Sequence, residues 1–261
     1  MKDYPPKAYN NLKFLNSASA RTIRILSEYE EPRSRLDYYR VRDTIVFFGS
    51  ARFKDADAAQ KILAEAKTPE ETLRAEQAVR GSRYYEDARK LAGMLTNWSG
   101  SLPGVGHSRF VVCSGGGPGI MEAANRGAKE AGGRSMGLNI TLPMEQEPNP
   151  YITPELSFQF HYFFMRKLWF AYLAKAMLVF PGGFGTMDEM WELLTLEQTR
   201  KLNKKMLIVV YAPEYWKSVL NVDAMEEVGA INADDRKLLK YADTPEQAFD
   251  MVTGWLKEHY M

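Results

Sequence analysis

The sequence predicts an α/β fold: one Rossmann-like, doubly wound parallel sheet with helices on both faces and an N-terminal helical extension. Three observations predict it. From residue 43 onward, short runs rich in β-branched and other apolar residues alternate with longer helix-forming stretches. The runs are largely apolar, as expected of strands covered on both faces. Two of them end in glycine-rich turns that open directly into a helix.

Taken in order, residues 1–40 are polar and charged, with Pro5, Pro6 and Pro32 as punctuation, and read as an arm carrying a helix over 17–30. A nucleotide-binding domain over 41–261 follows. Its first strand is Thr44-Ile45-Val46-Phe47-Phe48, closed by Gly49. Residues 55–98 are rich in Ala, Glu, Lys, Arg and Gln, and read as a helical insertion broken near Thr68-Pro69 and Gly81. Then come a strand over 109–113, a helix over 118–131 and a strand over 135–140. A loop rich in Pro and Glu runs to about 154. The remainder reads as a helix over 160–175, strands over 176–180 and 206–211 flanking a helix over 186–201, and a closing helix over 245–260.

Composition excludes several classes. Thirty-four basic against 33 acidic residues give a net charge of +1, not the basic excess of a nucleic-acid-binding domain. The longest nearly apolar run, 168–180, is interrupted by Lys175 and too short to span a bilayer, and the N-terminus lacks a signal-peptide core. Cys113 is alone, and His107, His161 and His259 form no metal-ligand spacing. A soluble, reduced, cytoplasmic protein is expected, with no metal, cofactor, nucleic-acid or membrane partner.

The glycine turns point to an anion. Gly49-Ser50 ends the first strand, Ser114-Gly115-Gly116-Gly117-Pro118-Gly119 the second, and Pro181-Gly182-Gly183-Phe184-Gly185-Thr186 the strand over 176–180. Glycine lets backbone approach an anion, and a helix N-terminus supplies free N–H donors, so phosphate is the natural ligand. Neither a P-loop nor a dinucleotide fingerprint is present: with Gly115 and Gly117 as its first glycines, the third place is Ile120.

Two side chains stand out beside these turns. Arg166, on an aromatic helix, has Tyr162, Phe163, Trp169 and Phe170 as helical neighbours, so it either snorkels at a surface or is anchored by an anion. Glu189 follows Thr186 at capping-box spacing, which alone explains both residues. The alternative is a carboxylate facing the anion site, and spacing leaves both open. Cys113 reads as a small core residue.

The stretches Ser114-Gly-Gly-Gly-Pro-Gly-Ile-Met-Glu-Ala-Ala-Asn, Met165-Arg166-Lys167 and Pro181-Gly-Gly-Phe-Gly-Thr-Met-Asp-Glu189 resemble the LOG ("lonely guy") family. Its members are cytokinin riboside 5′-monophosphate phosphoribohydrolases, often mislabelled lysine decarboxylases. The resemblance covers roughly residues 43–211, and the extra helical segments suggest the longer bacterial class. It implies hydrolysis of the N-glycosidic bond of a purine riboside 5′-monophosphate by a homo-oligomer, with Arg166 and Glu189 as the catalytic pair. Gly182, Gly183, Gly185 and Thr186 would hold the phosphate. Gly49, Ser50, Ser114, Gly115, Gly116 and Gly117 would line the nucleotide site, with Met165 and Lys167 beside it and Glu122 a weaker candidate. The segment 143–151 would cover the site. Against a pyridoxal decarboxylase, no histidine here precedes a lysine. A non-catalytic nucleotide or molybdenum-cofactor carrier or sensor of the same fold is the alternative; it would not need the Arg166/Glu189 pair.

Overall fold

The computed structural model of the chain describes residues 4–104, 108–142 and 147–261. An N-terminal arm carries α1 (Leu12–Leu15) and α2 (Arg21–Tyr38). Then follow β1 (Thr44–Phe48), α3 (Ala56–Glu65), α4 (Pro69–Gly100), β2 (Val111–Ser114), α5 (Ile120–Glu130), β3 (Ser135–Ile140) and β4 (Ser157–Phe160). The second half runs α6 (Phe163–Leu173), β5 (Ala174–Val179), α7 (Phe184–Gln198), β6 (Leu207–Tyr211) and α8 (Pro213–Val219). It ends with α9 (Val222–Glu227), α10 (Ala233–Arg236), β7 (Leu239–Ala242) and α11 (Pro245–Tyr260).

The seven strands form one parallel sheet in the order β4-β3-β2-β1-β5-β6-β7. The chain steps outward from β1 through β2 to β4, then returns to the other side of β1 as β5. That reversal makes β1 and β5 the switch point, where doubly wound sheets place a ligand crevice beyond the strand ends. Alternate side chains of each central strand enter opposite cores. Val46, Cys113, Met177 and Ile208 pack under α2, α6 and α7, whereas Ile45, Val112, Leu178 and Val209 pack under α4, α5 and α11. Among the described residues, no helix is long and apolar enough to cross a membrane.

Four expectations need correction. The arm helix does not stop before Pro32 but runs to Tyr38 with Pro32 buried inside it. Proline has no N–H for the carbonyl four residues back, here that of Glu28, and the Trp169 indole Nε1 donates to that carbonyl instead at 3.0 Å. The inserted helices do break at Thr68, which caps α4 in a full capping box, but not at Gly81. A Cβ there would collide with the Phe53 ring, so this glycine marks a close approach inside a continuous 32-residue helix.

The segment read as one helix over 160–175 is a strand, β4, followed by a shorter helix, α6, and β5 begins already at Ala174. Phe160 lies in β4, paired with Ile140. The helix expected over 186–201 starts at Phe184 with Gly183 as its N-cap. Thr186 is therefore inside the first turn, and the Thr186/Glu189 capping box does not form.

Candidate functional site

The three glycine turns are knitted together by backbone. Ser50 N donates to Pro181 O at 2.9 Å, and Ile120 N donates to Ser50 O at 3.1 Å. Beyond the ends of β1 and β5 they leave a cavity of about 580 Å³. It is walled by Gly49 and Ser50, by Gly115 and Gly117, by Gly183, Gly185 and Thr186, and by Arg166 and Glu189. The first turn of α7 lines this space, and its opening N–H donors have no intrahelical partner and no side-chain cap from Gly183.

Glu189 sits one turn further along α7 and is only 2% exposed. Its Oε1 accepts from Arg166 Nη2 at 3.2 Å, and Arg166 is itself largely buried, with Phe163 and Phe170 against its guanidinium. Arg166 Nε is buried with no partner among the described residues, leaving a donor edge unused. Burial pushes the Glu189 carboxyl up to about 7, against the opposing pull of Arg166 and Lys167. Burial likewise lowers the Arg166 guanidinium from its usual range, although Glu189 and Asp188 oppose the shift. The site thus holds a carboxyl poised to titrate near neutrality beside a fixed cation.

The other singled-out residues lie around this cavity rather than on its wall. Lys167 turns away to pair with Asp188 at 2.9 Å and Glu192 at 2.7 Å. Met165 is buried in the core beneath α6. Glu122 accepts a hydrogen bond from the Tyr85 hydroxyl at 2.8 Å, on the α4 side of α5. Ser114 is buried and bonded to Asn125, and Gly116 lies beneath Asn139. Gly182 backs onto Thr186, its carbonyl accepting from the Tyr215 hydroxyl at 2.7 Å. Cys113 is buried, and burial pushes its thiol up. His107 and residues 143–146 of the expected cover lie outside the described residues.

The cavity wall also includes residues that the motifs do not single out: Arg52, Met121, Asn139 and Phe184. Arg52 was within reach, as a cation two residues beyond Gly49-Ser50. Asn139 was too, as a polar residue near the end of an apolar strand. Phe184 is 92% exposed at the rim, and nothing in the sequence marks an aromatic inside a glycine turn as part of a cavity wall.

Fold and site together define a doubly wound α/β protein whose switch-point cavity joins helix N–H donors to a buried arginine–glutamate pair. Residues 121–252, half of the chain, match the family model described as "Possible lysine decarboxylase", and the chain belongs to that family, the LOG family of the motifs above. It is 27% identical over 95 residues to the "Probable cytokinin riboside 5′-monophosphate phosphoribohydrolase LOGL3" of Oryza sativa subsp. japonica. That match covers 36% of this chain and 44% of the relative, so it spans less than half of the relative's length. Solved structures of similar shape include a molybdenum cofactor binding protein from the phototrophic bacterium Rippkaea orientalis (15% identity, TM-score 0.49, 82% of this chain and 97% of that one). The Moco carrier protein from Chlamydomonas reinhardtii is another (18% identity, TM-score 0.48, 83% of this chain and 99% of that one). The fold assignment rests on the seven-stranded sheet itself.

Proposed function

We propose that the chain hydrolyses the N-glycosidic bond of purine riboside 5′-monophosphates, releasing the free base and ribose 5-phosphate. The observation that carries this reading is the buried Arg166–Glu189 pair on the wall of a cavity that also takes in the N-terminal turn of α7. The phosphate would sit on the opening turn of α7, over Gly183, Gly185 and Thr186, with Ser50 and Arg52 beside it. Cleaving the bond builds positive charge on the ribose, as in oxocarbenium-like transition states generally. Ionised Glu189 would stabilise that charge and orient the attacking water. Arg166 would offset negative charge as the bond breaks, and its guanidinium keeps Glu189 aimed. None of these steps calls for a cofactor.

A carrier would need the turns but not a carboxyl held near neutrality against a guanidinium, which favours the enzyme. The chain would act as a homo-oligomer, a second copy covering the exposed apolar face of α6 formed by Phe164, Leu168 and Tyr172. Light scattering should then give a mass above the 29.8 kDa of one chain. The deciding experiment incubates the pure protein with AMP and with isopentenyl-AMP and quantifies free base. Release of adenine or isopentenyladenine is expected; binding of both nucleotides without release of base would establish the carrier instead.

A further inference from the structure

We propose that Glu28, on the N-terminal arm, is a positioning residue that holds Arg166 in register with Glu189 by gripping α6 on both sides of it. The first grip is at the start of α6. Its N-cap, Tyr162, offers no side-chain cap of its own. Instead the Glu28 carboxylate holds the two residues that lead into the helix, accepting from His161 N at 2.7 Å through Oε1 and from Tyr162 N at 3.2 Å through Oε2. Two adjacent N–H groups are a matched pair for the two oxygens of a carboxylate, and the negative charge stands at the positive end of the α6 dipole. Tyr162 O in turn accepts from Arg166 N at 3.2 Å, so the held residue is the one that starts the Arg166 turn.

The second grip lies three residues beyond Arg166. Trp169 Nε1 donates to the Glu28 carbonyl, which is free because Pro32 has no N–H to give it. The Tyr29 ring packs on Trp169 with centroids 5.8 Å apart, and Arg21 lies over Tyr162. One residue of the arm thus binds α6 through both side chain and backbone, with Arg166 between the two points. The charges that act most on Glu189 are Arg166 and, through its pairing with Asp188 and Glu192, Lys167 from α6, with Asp188 and Glu192 from its own helix, so both cations of this set stand on α6. A slip of α6 would withdraw that positive charge from the carboxyl.

This inference rests on the proposed hydrolysis for its kinetic readout, but not for its spectroscopic one. Glu28→Ala removes both carboxylate oxygens and leaves the backbone carbonyl that accepts from Trp169, and Glu28→Gln leaves one oxygen while turning an NH₂ against a backbone N–H; the second serves if the first does not fold. In the full-length protein, kcat for AMP should fall on the order of 10–100-fold, the cost of a small misplacement, with KM within about twofold. The acid limb of kcat should move to higher pH, and NMR titration of the Glu189 carboxyl should move the same way. If wild type releases no base, the hydrolysis reading fails, while the carboxyl titration still tests the grip. Variants that lower the melting temperature yet keep the wild-type kcat and Glu189 titration would overturn the proposal, leaving Glu28 a purely structural clasp.

Discussion

In the 114–119 turn the Ser114 hydroxyl, Gly116 N and the Gly116 and Gly117 carbonyls are engaged within the fold. Ser114 Oγ donates to Asn125 Oδ1 at 2.7 Å and accepts from Gly116 N at 3.0 Å. Asn149 Nδ2 reaches the carbonyls of Gly116 and Gly117 at 3.0 and 3.1 Å. Gly119 has φ +70° and lies against the backbone of Ser50 and Ala51. The 181–186 turn packs closely only at Gly182 and is open beyond it: a Cβ added at Gly183 or Gly185 would meet nothing within 4 Å, and α7 has no side-chain cap. Similar glycine spacing therefore serves two purposes. In the first turn glycine permits close packing, and in the second it leaves backbone donors uncovered. The glutamates that follow differ in the same way, Glu122 bonded to Tyr85 and Glu189 set against Arg166.

The largest effect expected is at Gly119. Alanine there combines a left-handed backbone with a collision against Ser50 O, a fixed backbone atom. Strain and overpacking together should cost about 2–5 kcal/mol of stability, read from urea unfolding. A Gly119→Ala protein as stable as wild type would remove the claim that this turn is built on close packing.

Next comes Glu189→Gln, which keeps the shape and removes the charge. AMP turnover should drop about 10²-fold or more while AMP still binds, and Glu122→Gln should leave turnover near wild type. Because the ionised form acts, wild-type activity should rise with pH through about 7. Stability runs the other way. The folded pKa lies above the ordinary value of 4.5, so this carboxyl's contribution is full below 4.5 and is lost as pH rises through about 7. The wild-type melting temperature should accordingly fall relative to that of Glu189→Gln over that window. A constant difference across it would mean that Glu189 is ionised throughout.

Asn149→Ala tests the first turn from its cover. It strips the shared donor from two buried glycine carbonyls and from Asn125 Oδ1, which should cost about 1–3 kcal/mol. Activity per folded molecule should change less than in Glu189→Gln.

Much of this contrast was invisible in the sequence, for identifiable reasons. The five inner strands were legible because burial on both faces makes them apolar runs. The edge strands were not: Ser157-Phe-Gln-Phe and Leu239-Lys-Tyr-Ala alternate with polar residues, and the first abuts an aromatic helix with no break. Pro32 hid the length of α2 because the indole that replaces its missing donor comes from residue 169. The turn glycines, Arg166 and Glu189 were legible as types, since glycine and charge beside strand ends have few other uses. The start of α7 was not, because Gly183 begins the helix without a capping side chain and Thr186 only imitates one. Arg52 and Asn139 carried a local signal, a cation or amide beside a strand end, but whether they and Met121 face the cavity depends on which way each strand end turns.

The smallest effect expected, and the finest test of the comparison, is Gly183→Ala. Its φ is −97°, a conformation open to any residue, and its Cβ would stand in open space. Stability should therefore stay within about 0.5 kcal/mol of wild type. The methyl would nonetheless project where the α7 donors face the cavity, so a phosphate seated there must move away from them. An affinity loss of about tenfold for AMP, some 1.4 kcal/mol, is expected by calorimetry, with affinity for adenosine unchanged. Equal losses for nucleotide and nucleoside would place the methyl against the sugar or base rather than the phosphate. No loss for either would move the phosphate off this turn and leave the two glycine turns alike in being structural.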